Sequence, residues 1–208
     1  VSEVPSGQKS KLVLPDGTMV WLNGGSTLKY PNNFSDKKRN VVLDGEGYFE
    51  VTSRNGVPFT VSTSAYDIIV KGTKFNVCAY DIDATSLTSL IEGKIEIDYK
   101  DELYEVSPGE GVCINKNKGT VESFRSDVDD SNAWIDGRIE YEKITLADFA
   151  AKLSRKYGVE VCIENNEIKC HTFRISLKNN ETLVQVLDGL QLITPFEYTI
   201  DKDRLIIK

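Results

Sequence analysis

ITLADFAAKLSRKYGVEVCI at residues 144–163 and ETLVQVLDGLQLITPFEYTI at residues 181–200 carry one pattern twice. Laid over each other, Thr145 meets Thr182, Leu146 meets Leu183, Phe149 meets Val186 and Leu153 meets Leu190. Val159, Val161 and Ile163 then meet Phe196, Tyr198 and Ile200. In the first copy Leu146, Phe149, Ala150, Leu153 and Tyr157 recur at the spacing of one helix face. Thr145 is placed to cap that helix and Gly158 to end it. Val159, Val161 and Ile163 follow with the period of a half-buried strand. In the second copy Thr182 is the cap, and Leu183, Val186, Leu187 and Leu190 are the stripe. Such paired units more often hold a partner than run a reaction.

Working outward, residues 137–141 alternate as a strand before the first helix, and Phe173, Ile175 and Leu177 do so before the second. Leu205-Ile206-Ile207 closes the chain. The pattern predicts two β-α-β units and a last strand over 137–208. Neither unit can bury its apolar helix face alone, so together they form one small α+β core.

Upstream, ESFRSDVDDSN (122–132) is polar and mostly acidic, and residues 124–136 read as a linker. Asp127, Asp129 and Asp130 miss the spacing of a calcium loop, so no metal site is assigned. Residues 1–123 have a different texture, with short alternating runs broken by turn dipeptides. Asp16-Gly17, Asp44-Gly45, Asn55-Gly56, Lys71-Gly72, Glu92-Gly93, Pro108-Gly109 and Lys118-Gly119 recur along them. Glycine accepts the positive φ that tight turns demand. No stretch there has a 3.6-residue apolar stripe. The expectation is an all-β sandwich, barrel or solenoid-like roll, and the uneven turn spacing favours an irregular roll. The whole chain is thus mainly β with a C-terminal α+β domain. Around Gly72 the inward face changes between Val70 and Phe75, which predicts a bulge or bend. Gly45-Glu46-Gly47 reads as a turn rather than a nucleotide fingerprint.

Several functions lack their residues. The net charge of the 208-residue chain is −7, the wrong sign for a nucleic-acid surface. Lys37-Lys38-Arg39, the one basic triplet, reads as a solvated loop. No apolar run reaches the ~20 residues of a membrane span. VSEVPSGQKSK lacks the plan of a signal peptide, and the absent initiator Met suggests a piece of a longer protein. Cys78, Cys113, Cys162 and Cys170 form no C-x-x-C pair and read as buried thiols outside any disulfide, with one oxidised pair as the alternative. The single histidine, His171, sits just before the Phe173 strand, and no serine or cysteine dyad with it is suggested, so it reads as a surface or strand-edge residue. No catalytic, metal or cofactor residue is nominated, and the protein reads as not an enzyme.

A resemblance rests on LPDGTMVWLNGGSTLKYP (14–31), RNVVLDGEGYFEV (39–51), PFTVSTSAYDIIVKGTKFNVCAY (58–80), LIEGKIEI (90–97) and VSPGEGVCI (106–114). These runs, in this order, resemble the periplasmic domain of FecR-type anti-sigma regulators. Their motif residues Asp16, Gly17, Gly45, Gly72, Phe75, Gly93 and Gly109 are read as structural. Gly47 departs from the pattern, where a residue such as alanine is expected. Residues 134–208 are similar to the small C-terminal domain of these regulators, which itself resembles the short N-terminal domain of secretins and TonB-dependent transducers.

The resemblance implies the periplasmic part of a single-pass inner-membrane protein. It implies two partners: the signalling domain of an outer-membrane TonB-dependent transducer, and a sigma factor met through a cytoplasmic segment absent from this sequence. The membrane would be reached only through a helix that is also absent. Domains of this β-α-β kind can add a partner strand at an open edge. The expected docking residues are therefore Val159, Val161 and Ile163, or Arg204, Leu205, Ile206 and Ile207. A carbohydrate-binding or adhesive β domain with Trp21 or Trp134 as a platform is the alternative. A hydrolase with dispersed carboxylates is a third reading.

Overall fold

Alternation with period two commits the front of the chain to sheet, and the computed structural model shows how that sheet closes. It describes residues 1–126 and 131–208. The chain divides into two units, one of Val1–Val4 with Lys9–Asn132 and one of Pro5–Gln8 with Ala133–Lys208.

The first unit contains β1 (Ser2–Glu3), β2 (Ser10–Val13), β3 (Met19–Leu22), β4 (Thr27–Lys29), β5 (Arg39–Glu50), β6 (Phe59–Ser62) and β7 (Asp67–Val70). It continues with β8 (Lys74–Ala79), β9 (Thr85–Glu92), β10 (Ile95–Tyr99), β11 (Glu102–Val106), β12 (Glu110–Asn115) and β13 (Thr120–Arg125). These 13 strands form one curled sheet with two wings that share β5. The front half of β5 pairs with β4 and, in parallel, with β6. Its back half pairs with β3 and β8. One wing runs β1-β4-β5-β6-β7-β10-β11 and the other β2-β3-β5-β8-β9-β12-β13. Inward residues of both wings, among them Leu28, Val61, Ile68, Ile97, Leu22, Phe49, Phe75 and Ile114, meet in one core.

Gly45 is where β5 changes wings. Its φ is +131°, and a Cβ there would stand 2.4 Å from Ser26 Oγ. Asp44-Gly45 and Gly45-Glu46-Gly47 are therefore not turns, because strand pairing continues through them. The glycine lets a single long strand bend where a side chain would collide. The bend expected at Gly72 lies between β7 and β8, one in each wing, and the register shifts at Lys74/Phe75.

The second unit contains β14 (Ile139–Thr145), α1 (Leu146–Tyr157), β15 (Glu160–Ile163), β16 (Thr172–Leu177), α2 (Leu183–Gln191), β17 (Tyr198–Asp201) and β18 (Arg204–Ile207). Thr145 accepts from the Asp148 amide, and Gly158 closes α1 at φ 69°. Thr182 and Gln185 form a reciprocal capping box on α2. The strands make two small sheets, β14-β16 and β15-β18-β17. Leu146, Phe149, Leu153, Leu187, Leu190, Leu205 and Ile207 join in a single core between helices and sheets. Residues 5–8 complete this unit. The Gly7 amide donates to the Arg155 carbonyl at 2.7 Å.

Three details depart from expectation. Arg39 is wholly buried, although its neighbours Lys37 and Lys38 are exposed. The β13 strand runs into the stretch read as a linker, and a 3₁₀ turn fills Ala133–Asp136. The calcium reading of Asp127, Asp129 and Asp130 falls outside the described residues. Finally, the four cysteines form no disulfide, yet only Cys78 is buried, and Cys170 is exposed.

Candidate functional site

In the first unit the motif residues converge on the interior. Asp16 begins the turn between β2 and β3. Its carboxylate accepts from the Thr18 amide and hydroxyl at 3.1 and 3.0 Å. It also receives Arg39 Nη1 at 2.9 Å, and both side chains are essentially dry. Arg39 donates further to the Thr52 and Val57 carbonyls, each at 2.6 Å. Its Nε alone has no partner. A buried charge pair survives only when its remaining hydrogen-bonding positions are nearly all filled, and this one meets that condition through loop carbonyls.

A second polar knot surrounds Glu46. Its carboxylate accepts from Asn23 at 2.8 Å and from Asn76 at 3.3 Å. Ser26 Oγ accepts from the Glu46 amide and donates to its carbonyl. Tyr80 donates to the Gly24 carbonyl at 2.8 Å. The runs LNGGS, GEGYF and GTKFN are thus tied together across β3, β5 and β8. Phe75 stacks on Phe49 at 5.2 Å, and Gly93 lies where a Cβ would meet the Gly72 carbonyl at 2.9 Å. Gly17 and Gly109 occupy turns at positive φ. These motif residues hold the sheet together and offer no reactive group to solvent. Burial and the Glu50 carboxylate push the Tyr48 phenol up to about 12. Burial also raises the Cys113 thiol.

In the second unit the two expected docking segments differ in kind. Arg204–Ile207 is β18, the central strand. It pairs in parallel with β15 on one side and antiparallel with β17 on the other. Both rows of its main-chain groups are spent, so Arg204, Leu205, Ile206 and Ile207 present no edge. The sequence could not reveal this, because the last strand inserts between the second strands of the two units instead of adding outside them. The β15 strand does have an open side. The Glu160 and Glu164 amides reach β18 through the Asp203 and Ile207 carbonyls. By alternation Val161 and Ile163 turn their main-chain groups away from β18. Val159 lies just before the strand. Ile163 is buried by its side chain, and Val161 is partly exposed.

Other features of this unit were not foreseen. Lys156 donates to the Gly137 carbonyl at 2.6 Å, and burial lowers its pKa. The Tyr198 hydroxyl donates to Asp188 at 2.7 Å, and that hydrogen bond raises the phenol pKa. Val184, Leu192, Ile193 and Ile200 are exposed hydrophobics. His171 is also exposed, and its carbonyl accepts from the Leu146 amide. Trp21 tilts against Tyr48 at 5.3 Å, and the Lys11 ammonium covers its ring at 4.4 Å.

Comparison with known proteins gives this arrangement a class. Residues 1–96 match the model described as FecR protein, and residues 138–207 match the one described as FecR, C-terminal. A crystal structure of a candidate anti-sigma factor from Parabacteroides distasonis ATCC 8503, at 1.65 Å, superposes with a TM-score of 0.94. It is 29% identical and covers 100% of this chain and 97% of its own. A second crystal structure of a candidate anti-sigma factor from that organism, at 2.50 Å, gives a TM-score of 0.93 at 29% identity, over 99% and 96%. No curated protein sequence matches. A β unit followed by a small α+β unit, matched in order by two models of one family, defines a class of regulators. The chain belongs to the FecR family of anti-sigma regulators.

Proposed function

We propose that this protein is the periplasmic sensor part of a transmembrane anti-sigma regulator, relaying a signal from a TonB-dependent outer-membrane transducer to an extracytoplasmic-function sigma factor. The observation that carries the reading is the ordered match of both FecR segments to this chain. The first unit acts as support, since its motif residues are committed to its interior. The second unit receives the transducer's signalling domain, and the open edge of β15 is one place where a partner strand would pair. The sigma factor would be met by a cytoplasmic segment outside these residues. Among the described residues no helix is long and apolar enough to cross a membrane. The role is regulatory rather than catalytic.

The competing reading as a sugar-binding domain draws less support, because Lys11 already occupies a face of Trp21. Titration calorimetry of the whole chain with the signalling domain of the transducer encoded beside it tests the proposal. A reversible contact of micromolar Kd, about −8 kcal/mol, is expected. Val161→Pro removes an amide that β18 does not use, so the fold should survive while edge pairing is lost. No detectable heat with the parent chain would sink the relay.

A further inference from the structure

We propose that Asn55 is a site of spontaneous covalent modification, where attack by the Gly56 amide nitrogen turns asparagine into isoaspartate and loosens the hold on Arg39 inside the first unit. The chain has two Asn-Gly dipeptides, Asn23-Gly24 and Asn55-Gly56, and the fold protects only one of them.

The chemistry needs no enzyme. The Gly56 nitrogen bonds to the side-chain carbonyl carbon of Asn55. The bond from that carbon to the side-chain nitrogen breaks, and this nitrogen leaves as ammonia with the proton of the attacking N–H. Water then opens the five-membered imide at either carbonyl. One opening gives aspartate. The other gives isoaspartate, in which the main chain runs through the side-chain carbon and is one atom longer. Glycine obstructs the attack least, because it has no side chain.

Around Asn23 the reacting groups are engaged. Its side-chain nitrogen, the leaving group, donates to the Glu46 carboxylate at 2.8 Å. Its side-chain oxygen accepts from the Gly24 amide, the required nucleophile, at 2.9 Å. Gly24 is buried, which keeps a solvent base from that amide. The second dipeptide is open. Asn55 and Gly56 are exposed, and a Cβ at Gly56 would meet no atom within 4 Å. Among the described residues no hydrogen bond holds the Asn55 carboxamide or the Gly56 amide. The pair forms the tip of a tight turn with φ 45° and 74°. One hydrogen bond, from the Val57 amide to the Arg54 carbonyl at 2.8 Å, closes it. The turn must open for the nitrogen to reach the side chain, and exposed segments open locally at little cost.

The consequence lies inside the unit. The carbonyls on either side of this turn hold Arg39: Thr52 accepts from Nη1 and Val57 from Nη2, each at 2.6 Å. Arg39 is wholly buried. Its other acceptor is Asp16, and its Nε already lacks one. An extra chain atom between the two carbonyls changes their separation, and the dihedral angles of the two-residue turn no longer close it. A buried guanidinium that loses an acceptor is left with a desolvated donor.

The test incubates the whole chain in warm neutral buffer and follows it by peptide mass mapping and by enzymatic methylation of isoaspartate. Asn55 should convert at least about 10-fold faster than Asn23, which must first give up a hydrogen bond to a charged group. The aged form, separated by its added negative charge, should show a lower urea midpoint from Trp21 in a Trp134→Phe background. Asn55→Gly accepts the same positive φ and has no side-chain amide, so it should melt as the parent does and keep its midpoint on incubation. In Arg39→Met with Asp16→Leu, which has no guanidinium to strand, ageing should lower the midpoint less than in the parent. The site is overturned if Asn55 converts no faster than Asn23. It is also overturned if Asn55 shows no product by the time a free peptide of residues 53–57 is fully converted. Aged protein that unfolds at the parent's midpoint, or that falls equally with and without Arg39, overturns the link to the buried pair.

Discussion

Among the described residues, the first unit buries an ion pair and the second keeps its ion pairs in solvent. Asp16 and Arg39 form an ion pair at 2.9 Å with almost no solvent access, and Glu46 is enclosed by two asparagines. In the second unit the pairs Arg174–Glu142 and Arg204–Glu160 lie at the surface. Exposed hydrocarbon occurs in both units, at Val13, Ile82 and Leu103 of the first and at Val184, Leu192 and Ile193 of the second. Buried ionic networks reward one arrangement and penalise every other, because each lost partner strands a desolvated group. The contrast lies in the interiors: the first unit is held to one arrangement by its buried polar network, and the second by the apolar core between its helices and sheets.

Breaking the buried pair should have the largest effect. Arg39→Met strands the Asp16 carboxylate and frees the Thr52 and Val57 carbonyls, so the first unit should lose about 3 to 5 kcal/mol. Adding Asp16→Leu should recover part of that, since an apolar pair no longer strands a charge. Urea unfolding can report each unit alone because there are two tryptophans, Trp21 in the first unit and Trp134 in the second. In a Trp134→Phe background the Trp21 emission midpoint should fall. With Trp21→Phe the Trp134 midpoint should not move. Equal shifts of both signals would erase the contrast between the units.

The reciprocal test lies in the repeat. Leu153 and Leu190 are matched positions of the two copies and are almost fully buried. Leu153→Ala and Leu190→Ala should each cost the second unit about 2 to 5 kcal/mol, read from Trp134 while Trp21 is unchanged. A variant that melts like its parent would show that its helix face had been misassigned.

These two tests draw on different degrees of legibility. The repeat was readable because helix stripes and caps are local, and Thr145, Gly158 and Thr182 act within four residues of themselves. The all-β character of the front was readable for the same reason. Pairings between distant residues were not. Arg39 looked like part of a solvated triplet because its partner, Asp16, lies 23 residues away. Gly45 looked like a turn, although a glycine at a strand bend has the same local signature. The placement of β18 between β15 and β17 is a matter of topology, and Arg204–Ile207 would read identically as an edge or a centre.

High pH should separate the units more gently. The Tyr66 phenol is buried against Thr88 at 2.9 Å, and burial raises its pKa. Tyr48 is raised to about 12. Both groups are protonated when folded and would ionise near 10 when unfolded. The stability they confer is complete below about pH 10 and is lost as pH rises through the folded values. The Trp21 midpoint should therefore fall more steeply above pH 10 than the Trp134 midpoint. Tyr66→Phe should flatten that fall, at the cost of leaving the Thr88 hydroxyl without its partner. An unchanged slope would mean that Tyr66 is not held as described.

The smallest expected effect lies at the exposed end of α2. Gly189→Ala adds a methyl group where no atom stands within 4 Å and removes the flexibility of a helical glycine. The position is two residues from the end of α2, so the gain should be about 0.5 to 1 kcal/mol rather than more. Trp134 fluorescence during urea unfolding would read it as a rise in midpoint with no change in slope. A stabilised second unit that binds its partner less well would show that glycine is kept there for the contact and not for the fold. If alanine destabilises instead, some feature of the fold requires Gly189. If alanine stabilises and binding is unchanged, a close approach of a partner at this position is excluded.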